Sequence, residues 1–226
     1  MKNNFPLPDG RPVIVPSVLS ADFSDLGRSL RGLDKAAGWV QVDVMDGNFV
    51  PSLSFGPHIA GGVKKAARLP LDAHLMVERP GLFIDPFARA GADLITVHEE
   101  AQGPAACLRR IKALGLRAGL ALKPKTPLER ALKYFDRIDL LLLMTVEPGF
   151  GGQEFLSFVL AKIARARAAI GAGRRKIWLQ VDGGINDRTA PEAVKAGADS
   201  LVMGSALFSR RDPARYAGQL LKRIGG

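Results

Sequence analysis

A chain of 226 residues with 47% hydrophobic composition can bury a sizeable core, either as one α/β barrel or as two smaller domains. Its one cysteine, Cys107, excludes an internal disulfide. No stretch reads as a secretory leader or as the ~20-residue apolar run of a membrane span, so a cytoplasmic protein with no membrane partner is expected. The net charge of +10 raises the question of nucleic acid, but Lys162, Arg165, Arg167, Arg174, Arg175 and Lys176 are interleaved with alanine and isoleucine. That spacing is the wet face of an amphipathic helix, and no aromatic residues accompany it, so no nucleic-acid partner is expected.

Residues 1–12 contain Pro6, Pro8, Asp9-Gly10 and Pro12, which cannot continue a helix or a central strand, and they read as a loose arm. After the arm, short apolar, β-branched runs alternate with amphipathic segments. Strands are predicted over 13–16, 40–45, 71–77, 94–98, 117–122, 140–146, 177–182 and 200–203. Helices are predicted between them over 22–36, 56–67, 81–90, 104–114, 128–134, 154–171 and 188–196, with a closing one over 212–223.

Two segments repeat. Ala90-Gly91-Ala92-Asp93 and Ala196-Gly197-Ala198-Asp199 lie 106 residues apart (197 minus 91) and introduce the fourth and eighth strands. Four units together take 106 residues, which predicts about 212 for eight, close to the whole chain. The expected fold is therefore a single-domain (β/α)8 TIM barrel over 13–226, although the same connector also serves a doubly wound sheet.

Reacting groups of such a barrel project from the C-terminal ends of its strands. Three runs carry polar residues there: Gln41 and Asp43 on the second, His74 on the third, Asp182 on the seventh. Strands two and seven are separated by strands one and eight in the ring, which places Asp43 and Asp182 across the barrel mouth from each other. Two facing acids suit the inversion of a carbon next to a carbonyl: one removes a proton from one face of an enediolate, and the other returns a proton to the opposite face. A lone aspartate at a strand end also begins turns or caps helices. His74 adds a nitrogen with which the two acids could share a divalent cation. Glycines follow the last three strands, at Gly149-Phe150-Gly151-Gly152, Gly183-Gly184 and Gly204-Ser205, where backbone N–H groups can approach a phosphate.

At these residues the sequence resembles the ribulose-phosphate 3-epimerase family. The match covers about Val13 to Phe208, including Pro16-Ser17-Val18-Leu19-Ser20, Val42-Asp43-Val44-Met45-Asp46-Gly47, His74-Leu75-Met76, Val146-Glu147-Pro148-Gly149-Phe150-Gly151-Gly152-Gln153 and Val181-Asp182-Gly183-Gly184. The resemblance implies exchange of D-ribulose 5-phosphate with D-xylulose 5-phosphate, a place in the pentose phosphate pathway or carbon fixation, and a homo-oligomer. By position it implies Asp43 as proton acceptor and Asp182 as donor, with Ser17, His74, Gly149, Phe150, Gly151, Gly152, Gly183, Gly184, Gly204 and Ser205 around the substrate. It also implies one divalent metal (Zn, Fe, Mn or Co) on Asp43, His74, Asp182 and the residue at position 41.

Position 41 departs from the pattern: it is Gln41, where the family has histidine. An amide oxygen is a poorer ligand than imidazole for zinc or ferrous iron, so the metal is weakened, shifted to a harder ion or absent. Two alternatives stay open on sequence grounds. One is a related epimerase of a hexulose phosphate such as D-allulose 6-phosphate; the other is a phosphosugar-binding paralogue that lost catalysis with its metal. Met45, Met76 and Met144 lie at strand ends, either in the core or lining the site.

Overall fold

All eight apolar runs form strands in the computed structural model, which describes residues 5–173 and 176–225. Residues 1–4 of the arm, Arg174 and Arg175 of the basic run, and Gly226 lie outside the described residues. The strands are β1 (Val13–Pro16), β2 (Val40–Met45), β3 (Leu71–Met76), β4 (Leu94–His98), β5 (Arg117–Leu122), β6 (Leu140–Met144), β7 (Trp178–Asp182) and β8 (Ser200–Met203). They pair in parallel in the order β1-β8-β7-β6-β5-β4-β3-β2. Closure between the two ends of that order rests on a single parallel bridge, Ser17 to Gln41. Eight parallel strands alternating with helices in a nearly closed ring make the chain a single (β/α)8 barrel.

The surrounding helices are α1 (Leu26–Ser29), α2 (Pro57–Ala67), α3 (Ile84–Arg89), α4 (Pro104–Ala113), α5 (Glu129–Leu132), α6 (Val159–Gly171), α7 (Thr189–Lys195), α8 (Ser205–Phe208) and α9 (Pro213–Ile224). Three differ from expectation. The helix predicted over 22–36 is broken into short turns, because Asp22 and Asp25 accept from the backbone N–H of Ser24 and Arg28, and Gly32 sits at φ 77°. Such local caps compete with a continuous helix. Residues 154–158 precede α6 instead of joining it: the Leu156 N–H donates to Thr145 O and ties that stretch to the end of β6. Helix α8, directly after β8, has no counterpart in the prediction.

The repeated Gly-Ala-Asp element has a common task in both copies. Gly91 and Gly197 take φ 100° and 113°, and each following aspartate accepts a backbone N–H from the preceding strand: Leu71 donates to Asp93 and Leu179 to Asp199. Asp139, before β6, accepts from Ala118 in the same way. Lys64, Lys112 and Arg167 neutralise Asp93, Asp139 and Asp199 in turn. The basic face of α6 is thus partly structural: Arg167 holds Asp199, and Lys162 donates to the carbonyls of Lys123, Pro124 and Thr126.

The arm is fastened where it is described. Phe5 is buried 4.6 Å from the Trp39 ring, Trp39 meets Trp178, and Trp178 Nε1 donates to Pro6 O, so residues 5 and 6 close the end of the barrel opposite the strand C-termini. Within the described residues no helix is long and apolar enough to cross a membrane.

Candidate active site

Alternation along each strand sends every second side chain into the barrel. The inner face receives Gln41 and Asp43 from β2, Asp72 and His74 from β3, Thr96 and His98 from β4, and Gln180 and Asp182 from β7. Register then sets neighbours, with Asp43 opposite His74 and His74 opposite Thr96. The result is a polar cluster inside an otherwise apolar barrel, with Gln41, Asp72, His74 and His98 wholly buried.

Asp43 is at the centre. Its Oδ1 lies 2.8 Å from His74 Nδ1 and accepts from Gln41 Nε2 at 2.8 Å, while its Oδ2 accepts from Ser17 Oγ at 2.5 Å. Gln41 Nε2 also donates to Asp182 Oδ2 at 2.7 Å, so one amide joins both acids. Asp182 Oδ2 is 3.8 Å from His74 Nδ1.

These contacts drive the two acids apart in acidity. Burial alone would raise the Asp43 carboxyl, but hydrogen bonds from His74, Ser17 and Gln41 and the His74 charge overcome it and hold it below the usual carboxylate range. Burial, with the Asp43 charge added, pushes Asp182 up to about 7. Near neutral pH one acid is ionised and the other can carry a proton, the division that acid–base chemistry on two faces requires. Burial works against the His74 imidazolium, yet Asp43, Asp182 and Asp72 together keep its pKa raised.

A cavity opens above this cluster. Ser17, Asp43 and Asp182 line it together with Met45, Met76 and Met144. Gly149, Phe150, Gly151, Gly152, Gly183, Gly184, Gly204 and Ser205 form its rim, and among the described residues no lysine or arginine is in the lining. His74 and Gln41 are wholly buried beside these lining residues.

Two of the glycines are demanded by packing whatever binds there. At Gly183, φ 118°, a Cβ would stand 2.4 Å from a Val146 methyl, and at Gly184, φ 65°, 2.5 Å from the Phe155 backbone nitrogen. At Gly204 the nearest atom is the Ser20 hydroxyl, 2.9 Å away.

His98 is a neighbour of His74 absent from the sequence expectations. Its Nε2 lies 2.9 Å from His74 Nε2, and its Nδ1 lies 3.2 Å from Glu100 Oε2. Glu100 is fixed by the Lys123 N–H and the Thr126 hydroxyl. The signal was legible: Thr96 and His98 occupy alternate positions of an apolar strand, as Gln41 and Asp43 do.

Asp43, His74 and Asp182 each offer one ligand atom, and these three atoms lie within 4.8 Å of one another, a ligand group for a metal. Hard carboxylate and borderline imidazole donors suit a divalent first-row cation. The Gln41 amide adjoins them through its Nε2, and its Oε1 is a buried acceptor without a partner among the described residues. The donor set fits.

The model of the ribulose-phosphate 3 epimerase family matches residues 13–208. The chain belongs to that family. Relatives named ribulose-phosphate 3-epimerase include those of Bacillus subtilis, 46% identical over 92% of this chain and 97% of the relative, and Mycobacterium bovis, 42% identical over 96% and 94%. A chloroplastic ribulose-5-phosphate-3-epimerase of Arabidopsis thaliana is 40% identical over 89% and 73%. Crystal structures similar to this family member include a 3-hexulose-6-phosphate synthase (TM-score 0.71, 22% identity, 94% of this chain and 99% of that one) and the KGPDC of Streptococcus mutans (TM-score 0.71, 15% identity, 96% and 100%). At those identities they bear on the barrel fold alone.

Proposed function

We propose that the chain interconverts D-ribulose 5-phosphate and D-xylulose 5-phosphate, with Asp43 and Asp182 moving the proton at C3 on opposite faces. The observation that carries this reading is the placement of two aspartates from strands on opposite sides of the ring, Asp43 and Asp182, in the lining of one cavity, joined by the Gln41 amide. Asp43, ionised, removes the C3 proton and leaves a planar enediolate. Asp182, protonated, delivers a proton to the other face, and the roles exchange in the reverse direction. Retention of both acids in these states favours catalysis over a binding-only paralogue.

The phosphate is assigned to the rim of Gly183, Gly184, Gly204 and Ser205. With no lysine or arginine in the lining among the described residues, backbone N–H groups and the Ser205 hydroxyl are the donors on offer. Ser17 already donates to Asp43, and it serves the site by orienting that carboxylate beside the sugar. Asp43, His74 and Asp182 would hold one divalent cation, zinc, iron, manganese or cobalt; bound there it would stabilise the charge of an enediolate oxygen. A cytoplasmic homo-oligomer working in the pentose phosphate pathway completes this reading, on the strength of family membership.

The test is turnover of D-ribulose 5-phosphate followed by NMR, beside D-allulose 6-phosphate. Preferential formation of D-xylulose 5-phosphate supports the assignment. A preference for the hexulose phosphate, or no turnover of either, would sink it.

A further inference from the structure

Gln41 carries an imbalance between the two atoms of its amide, and its nitrogen side faces both acids of the cluster. Both hydrogens of its Nε2 point at carboxylate oxygens, Asp43 Oδ1 and Asp182 Oδ2, with His74 Nδ1 3.5 Å away. Its Oε1 is buried with no donor in reach among the described residues. The amide nitrogen therefore stands where the two acids and the imidazole converge, and its partly positive hydrogens take the part of a cation.

Half a turn about the bond to the amide exchanges nitrogen and oxygen. Without an ion, that pose sets a carbonyl oxygen against the ionised Asp43 and takes the amide hydrogens away from both of their acceptors, so the metal-free site selects the inward N–H2. With a divalent ion among the same groups the preference reverses, because only the oxygen has a lone pair to give. Ligand atoms around one tetrahedral ion, with bonds of about 2.0–2.2 Å, stand roughly 3.3–3.6 Å apart. The inward atom of Gln41 is 2.7, 2.8 and 3.5 Å from Asp182, Asp43 and His74, near enough to that spacing for a small adjustment to complete a shell.

We propose that Gln41 is a two-position group: its amide N–H2 bridges Asp43 and Asp182 when no cation is present, and its carbonyl oxygen turns inward as a fourth ligand when a divalent cation is taken up. This rests on the cation reading given above. The two acids then stay paired at the barrel mouth in either state. The ion must displace two hydrogen bonds to enter.

The experiment uses the whole protein labelled with 13C and 15N at the glutamine side-chain amides, with zinc as the probe. Gln102, Gln153 and Gln219 serve as internal controls. The Gln41 resonance is assigned by its disappearance in Gln41→Glu, or in Gln41→Met if the first variant does not fold. In chelator the Gln41 N–H2 pair should exchange slowly with solvent. One equivalent of zinc, its uptake followed by calorimetry, should move the Gln41 nitrogen and carbonyl carbon and change the protection of its protons, leaving the controls in place. Rapid exchange in chelator would overturn the bridge. Zinc uptake with the Gln41 signals unmoved would overturn the turning amide while leaving the cation reading intact. Absence of uptake by calorimetry would remove the cation reading and the inference with it.

Discussion

His74 and His98 meet nitrogen to nitrogen, 2.9 Å between their Nε2 atoms, and only one of the two can carry the proton between them. Burial foremost, with the nearby His74 charge, brings His98 down to about 4, so it is neutral at physiological pH. Its Nδ1–H is directed at Glu100, and its Nε2 accepts from His74. That assignment leaves His74 Nδ1 as the atom that faces Asp43 and any cation.

The first prediction follows from this chain. His98→Phe retains a ring against His74 but removes the acceptor. Partners of this kind are worth about 10–100-fold in metal affinity. Zinc binding should weaken by that order, with kcat falling more than KM rises. Unchanged affinity in a folded variant would remove His98 from the account.

Asp72 supplies a prediction about pH. It is wholly buried, its hydrogen-bond donor is the Thr96 hydroxyl, and burial pushes its carboxyl up to about 7. Its folded pKa lies above the unfolded value of about 3.9. The folded chain therefore holds a proton that the unfolded chain has released. The stabilisation is fully present below about pH 4 and is lost as pH rises to about 7. Asp72→Asn should flatten the decline of Tm over that range without abolishing it, since Asp182 titrates in the same window. Parallel Tm profiles for the two proteins would contradict the assignment.

The strands and the acids were legible because both are local facts. An apolar run such as 140–144 has one reading in a chain of alternating units, and Asp43 and Asp182 are polar interruptions of such runs. The joining of the acids through Gln41 was not legible, since it depends on how far strands two and seven stand apart once the ring closes. Gln41 lies beside Asp43, as the alternation along β2 predicts, and its amide reaches on to Asp182. The first helix was misread for a different reason: its amphipathic spacing was right, while the capping of Asp22 and Asp25 onto their own backbone prevailed over it.

Gly119 is an example of a constraint only the folded barrel shows. A Cβ there would stand 2.2 Å from Thr96 Oγ1 and 2.9 Å from its Cβ, and Thr96 is held by Asp72. Gly119→Ala should cost about 1–3 kcal/mol, roughly 2–12 °C in Tm at this chain size. A calorimetric Tm equal to wild type would show that Thr96 moves aside freely.

The rim can be tested at Gly204, whose added side chain would project toward Ser20 at the cavity edge. Gly204→Val should raise KM for the phosphorylated substrate strongly while a folded barrel is retained by circular dichroism. An unchanged KM would move the phosphate elsewhere.

The two-acid mechanism is tested most directly by D-ribulose 5-phosphate in D2O with Asp182→Asn. The substitution keeps the size of the side chain and removes the proton donor of one face, leaving Asp43 able to take the C3 proton. NMR should show that proton washing out slowly into solvent, while D-xylulose 5-phosphate forms at least about 10²-fold more slowly than with wild type. Formation of the epimer at near wild-type rate would contradict the mechanism, because inversion would then need no acid on the second face.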